Sequence, residues 1–141
     1  MSREKFWRAV YYLLSIGFLG TAALNMLHVR GGFLTNYAAD VVVPAWLYVG
    51  FRGLHGPRGP KSLIQRTLGR TPEIAALSLF VASTLTEVSQ RFWPRGIFSG
   101  RFDVLDVVAY ASGLAACYAA ERLLFREPSA CLLYTSDAAD E

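Results

Sequence analysis

Cysteine and histidine each occur only twice in this 141-residue chain, and their scarcity removes several kinds of chemistry at once. Cys131 stands in the last stretch and Cys117 inside an apolar run, so neither an internal disulfide framework nor a thiolate metal site is available. Cys117 reads as a small buried hydrophobe. There is no HExxH pair, no phosphate-binding glycine loop, no Ser, His and Asp set and no cysteine nucleophile. Internal repeats are missing, and so are low-complexity tracts before residue 131. Charge is scarce where it matters most: residues 9–27, "AVYYLLSIGFLGTAALNML", run without a single ionisable acid or base.

What is present reads as an all-α membrane protein. The segment 9–27 is long enough to cross a hydrocarbon layer at about 1.5 Å per residue. Its tyrosines and glycines, and the lack of a small-residue cleavage pattern close behind it, set it apart from a signal peptide. Further apolar stretches follow at 34–51, 72–92 and 103–124. The expectation is a four-transmembrane-helix bundle forming one domain over residues 1–130. A soluble four-helix bundle would need polar stripes every three or four residues, and the first helix offers almost none. The final stretch, "CLLYTSDAADE", reads as the translation of a sequencing adapter, so residues 131–141 are expected to be a non-native tail that stands in place of the true C-terminus. Setting that tail aside removes three of the eleven acids and raises the formal charge from +3 to +6.

Basic residues set the expected orientation. Ten fall on one side: Arg3, Lys5 and Arg8, then Arg52, Arg58, Lys61, Arg66 and Arg70, then Arg122 and Arg126. Four fall on the other: Arg30, Arg91, Arg95 and Arg101. Both termini are therefore expected in the cytoplasm of a bacterial cell, with the plasma membrane crossed several times. The basic connection "FRGLHGPRGPKSLIQRTLGR" is punctuated by glycine and proline beside membrane spans. It reads as a loop held at an anionic inner leaflet, with no nucleic-acid role.

Alternation of helix direction then gathers the acids. Asp40 falls near the outer end of the second span, Glu87 and Gln90 near the outer end of the third, and Asp103 and Asp106 at the outer start of the fourth. His28 and Asn36 flank the first loop on that side. Residues three apart share a helix face, so Glu87 pairs with Gln90 and Asp103 with Asp106, with Tyr110 a turn further along. The charge-free cores of the last two spans cover only about 20 Å of a layer about 30 Å thick, so these groups dip into it. A carboxyl at such depth either finds donors inside the bundle or holds a proton.

Each residue also has a plainer reading. Asp103 suits a helix N-cap, and Asp106 a first turn where the dipole favours an anion. Glu87 can pair with Arg91, and Asp40 can open the second helix. His28 reads as an interfacial side chain, Pro44 as a kink and Gly113 as a close helix contact. Trp7, Trp46, Trp93, Tyr11, Tyr12 and Tyr37 read as interfacial anchors.

"E-V-S-Q" at 87–90, "P-R" at 94–95 and "R-F-D-V-L-D-V-V-A-Y-A-S-G" at 101–113 resemble the signature of the VanZ-like family of small bacterial polytopic membrane proteins. Residues 86–113 carry the resemblance, with a looser likeness in the acidic, proline-containing "YAADVVVPAWLY". Tyr110 stands where family members commonly have Asn, which is similar to a divergent branch. The resemblance implies a cell-envelope setting and no particular reaction. Three functions stay open. A pocket of Asp40, Glu87, Gln90, Arg101, Asp103, Asp106 and Tyr110 binds a lipid-linked or envelope component, or a divalent cation such as Mg or Ca, with Arg91, Arg95 and Arg101 contacting an anion. A membrane-embedded hydrolase or transferase uses a buried carboxylate as general base. A small proton-coupled carrier subunit works as an oligomer.

Overall fold

The computed structural model describes residues 2–29, 31–56, 62–93 and 102–125, without the side chains of 33–36. Among them are five helices and no strand: α1 (Arg3–Met26), α2 (Phe33–Arg52), α3 (Leu63–Thr67), α4 (Pro72–Phe92) and α5 (Val104–Leu124). The chain is all-α, as its periodicity implies.

Local chemistry sets the helix ends. The Ser2 hydroxyl accepts from Lys5 N at 3.4 Å, so α1 starts inside the charged N-tail, ahead of the apolar run that marks its core. It stops where His28, at φ 54°, turns left-handed and Val29 N bonds back to Leu24 O. Gly53, at φ 61°, ends α2 by the same device, with Leu54 N bonding to Val49 O. Pro72 opens α4 behind a Thr71 cap, and Asp103 caps α5.

The basic connection is not simply a loop. Ser62 and Gln65 form a reciprocal capping box that starts α3, and a Ser-x-x-Gln signature stood in the sequence to announce it. Gly69 then seats this segment beneath α2: a β-carbon there would lie 1.8 Å from Phe51 O.

α2 is the hub. It packs against α1, α4 and α5, while α5 also lies along α4 and α1 leans on α2. The core gathers Trp7, Ala45, Tyr48, Val49, Ala75, Leu79, Leu114 and Cys117. α5 turns a ridge of small buried residues toward α2, Ala109, Gly113 and Cys117 at successive turns. A β-carbon on Gly113 would sit 2.2 Å from Val41 O, and Cys117 Sγ lies 3.9 Å from Ala45 O. Such close backbone approach is how helices pack without a hydrophobic drive between them. Pro44 is fully buried and α2 runs on through it.

Two aromatic expectations need correcting. Trp7 is only 1% exposed and packs with Phe6 and Phe125, so it is a core residue that ties the start of α1 to the end of α5. Trp46 stacks between Phe18 and Tyr11, and its indole N–H donates to Ser15 Oγ at 3.0 Å. Neither stands free at the surface, whereas Trp93 is 77% exposed.

Apolar side chains also cover the outside. Leu13, Ile16 and Leu19 on α1, Leu77 and Leu85 on α4, and Val104 and Val108 on α5 all stand exposed. By length and hydropathy α1 and α5 are apolar enough to cross a membrane, and none of the most apolar stretch of α1 is buried. A soluble core helix would hide that face. α2 and α4 fall short of the same measure because Asp40 and Pro44 interrupt one, and Glu73, Glu87 and a run of serines and threonines interrupt the other. Several of those hydroxyls bond back into their own helix, as Thr86 Oγ1 does to Ser83 O at 2.6 Å.

Candidate functional site

Three helices bring acids together at one end of the bundle. Glu87, five residues before the end of α4, is 3% exposed. Its Oε1 accepts from Tyr110 Oη on α5 at 2.7 Å and from Gln90 Nε2 at 3.5 Å. Asp40 on α2 lies near Tyr110 and Asp106 of α5 and in the electrostatic field of Glu87. Asp106 in turn neighbours Asp40, Glu87 and Asp103. Tyr110 thus sits at the junction, a turn below Asp106 and between the carboxyls of the other two helices.

Pro44 adds an acceptor. Having no N–H, it cannot donate to the carbonyl of Asp40 four residues earlier, which therefore lacks its ladder partner beside the acidic side chains.

Asp103 plays a different part. Its Oδ1 caps Leu105 N at 2.9 Å and its Oδ2 accepts from Tyr37 Oη at 2.9 Å, so both oxygens are engaged in starting α5 and fastening it to α2. Arg91 is exposed, and among the described ion pairs none joins it to Glu87. Arg101 and Arg95 lie outside the described residues, as do Arg30 and the side chain of Asn36. His28 is exposed and serves as the left-handed cap of α1.

The decisive feature is a vacancy in the hydrogen bonding. Among the described residues Glu87 Oε2 is buried without a partner, and so is Thr84 Oγ1 one turn earlier on the same face of α4. Buried polar atoms are nearly always satisfied. Of the two, Glu87 is in the electrostatic field of Asp40 and Asp106. No family model, curated protein or solved structure matches this chain. The chemistry of the site therefore rests on its own atoms.

A second acid cluster, at the opposite end, supplies the contrast. Glu121 on α5 is 4% exposed, yet it is fully engaged. Arg52 reaches its Oε2 through Nε at 3.1 Å and its Oε1 through Nη2 at 2.5 Å, Tyr48 Oη donates to Oε2 at 2.7 Å, and Arg3 stands 3.5 Å from Oε1. Arg52 spends its remaining donors on the carbonyls of Gly69 and Arg70 at 2.6 and 3.1 Å. A bidentate guanidinium on a carboxylate compensates its burial. This cluster clamps α1, α2, α5 and the segment after α3; it is structural. The signal for it in the sequence is the same alternation that groups Asp40 with Asp106, which also carries Arg52 and Glu121 to a shared end.

Among the described residues no group of three or more His, Cys, Asp or Glu is placed to hold a metal ion.

Proposed function

We propose that this chain is a VanZ-like, four-span protein of the bacterial plasma membrane whose acidic socket at the outer border binds a primary ammonium group of a cell-envelope component. The observation that carries the reading is the unpartnered Glu87 Oε2, buried next to an unpartnered Thr84 hydroxyl and two further carboxyls. An ammonium has three N–H donors and no acceptor. Glu87 Oε2, Asp40 and the Thr84 hydroxyl offer it three acceptors from two helices, and Asp106 adds charge from a third. Tyr110, donating to Glu87 Oε1, holds that carboxylate so that its other oxygen stays free. The membrane reading draws support from the exposed apolar faces of α1, α4 and α5 and from the basic residues that favour cytoplasmic termini. The VanZ-like resemblance rests on residues 86–113, which include Glu87 and Asp106 of the proposed socket.

A second reading has one observation in its favour. Asp106 lies in the electrostatic field of Asp40, and two carboxylates side by side are costly unless they share a proton. A dyad of this kind can shuttle that proton, as a general acid and base or as the coupling site of a carrier.

Glu87→Gln separates binding from folding, because the new side-chain carbonyl still accepts from Tyr110 while the charge is lost. In lipid-free detergent, calorimetric titration of wild type with ethanolamine should show saturable binding, and Glu87→Gln should weaken it at least about tenfold, the loss of one charge-assisted contact. Magnesium and calcium serve as controls and should give no comparable heat. Equal ethanolamine affinity in wild type and Glu87→Gln contradicts the socket. Proton uptake into proteoliposomes under an imposed gradient, abolished by Asp106→Asn, would move the assignment to the second reading.

A further inference from the structure

A separate feature runs along the outside of α4 and α5. Alanines at 76, 111 and 115 leave a groove of about 380 Å³ between the two helices, floored by Phe80 and closed at one end by Glu73 and Tyr118. Its volume falls within the range of ligand pockets, roughly 300 to 1,000 Å³. The lining is hydrocarbon for nearly its whole length, and polarity appears only at the closed end.

That end has a defined charge pattern. Glu73 pairs with Arg122, which stands beside that end just outside the groove, and accepts from Tyr118 Oη at 3.3 Å, while the Arg122 guanidinium lies 5.9 Å from the centre of the Tyr118 ring. Both members of the ion pair are about half exposed, 48% for Glu73 and 54% for Arg122. An acid and a base presented side by side, above a slot of methyl and methylene groups, match an amphiphile whose head carries both signs. Glu73 is at the start of α4 and Arg122 near the end of α5, so the pair lies with the Glu121 clamp, about 20 Å along α5 from Asp106 at roughly 1.5 Å per residue. It therefore belongs to the other face of the bilayer from the acidic socket.

We infer that the α4–α5 groove is a binding site for one zwitterionic aminophospholipid, with an acyl chain along Ala76, Ala111 and Ala115, its ammonium on Glu73 and its phosphate on Arg122. The site is independent of the ammonium socket but rests on the membrane reading. A head group of one negative charge would satisfy Arg122 and repel Glu73, which makes the groove selective rather than merely greasy.

Native mass spectrometry of detergent-purified protein, incubated with equal phosphatidylethanolamine and phosphatidylglycerol, reads that selectivity directly. Wild type should retain the first about tenfold better, the effect of one charge-assisted contact. Ala115→Phe fills the slot from an exposed position and should abolish retention of both. Glu73→Gln combined with Arg122→Gln should keep retention and erase the preference, every chain being compared in a Glu87→Gln background so that the ammonium socket does not contribute. Equal retention of the two lipids by wild type, or undiminished retention by Ala115→Phe, overturns the groove. Alkaline extraction of cell membranes is run on the same protein: release into the aqueous phase overturns the membrane reading and the groove with it, whereas failure of selectivity in a firmly inserted protein removes the groove alone.

Discussion

At the scale of single residues, the two buried glutamates separate function from framework. Glu121 has a guanidinium, a phenol and a second arginine around it, and every one of those partners ties elements together. Glu87 has a phenol and an amide on one oxygen and nothing on the other. The difference was not legible in the sequence, where both appear as a lone acid in an apolar helix, because Arg52 and Glu121 meet only after the chain has folded back across 69 residues. His28 shows a similar limit: it reads as an interfacial side chain, and its role is set by a left-handed backbone at φ 54°. For a non-glycine residue that conformation costs about 1 kcal/mol. His28→Gly should therefore raise the thermal midpoint in detergent by an amount equivalent to about 1 kcal/mol. Since the residue is exposed, an unchanged or lowered midpoint in scanning calorimetry would show that the cap carries no such strain.

At the scale of elements, the helices themselves were largely legible. The apolar stretch 72–92 coincides with α4 (Pro72–Phe92), since a Thr cap with proline behind it marks one end and the Trp-Pro step the other. α1 extends back to Arg3 because Glu4 and Arg8, four apart and 2.5 Å from contact to contact, carry the charged tail as helix. α3 was missed because glycines and prolines nearby drew attention away from its capping box. Helix contacts were legible only where a glycine announced them. At Gly113 the spacing of small residues foretells the close pass of α5 over α2, and the 2.2 Å approach to Val41 O gives it a magnitude. Gly113→Ala should force the two backbones apart, costing about 1 to 3 kcal/mol of stability. It should also weaken ethanolamine binding, because Asp40 rides on α2 and Tyr110 on α5. A variant that melts and binds like wild type would mean that the interface yields freely and does not position the socket.

At the scale of the whole molecule, the two ends of the bundle do different work. One end is fastened, by the Glu121 clamp and by Phe6 and Trp7 against Phe125, which brings the start of α1 to the end of α5. The other end holds three carboxyl-bearing helices around an unsatisfied oxygen. A fastened base with an acidic mouth is an arrangement in which a ligand at the mouth can order the helix ends without disturbing the bundle. The convergence of Asp40, Glu87 and Asp106 followed from alternating helix direction, which holds for successive antiparallel helices whatever their number. Which oxygens stay unpaired did not follow, because hydrogen-bond satisfaction is decided by rotamers and by Tyr110 crossing between helices.

The most direct test of that convergence is cross-linking in native membranes. Asp40→Cys and Asp106→Cys are combined in a chain carrying Cys117→Ala and Cys131→Ser, then treated with a short homobifunctional thiol reagent, with Asp40→Cys and Glu121→Cys as the distant pair. The account predicts an intramolecular link between positions 40 and 106 and none between 40 and 121. A chain that links 40 to 121, or fails to link 40 to 106 while both thiols react singly, would contradict it.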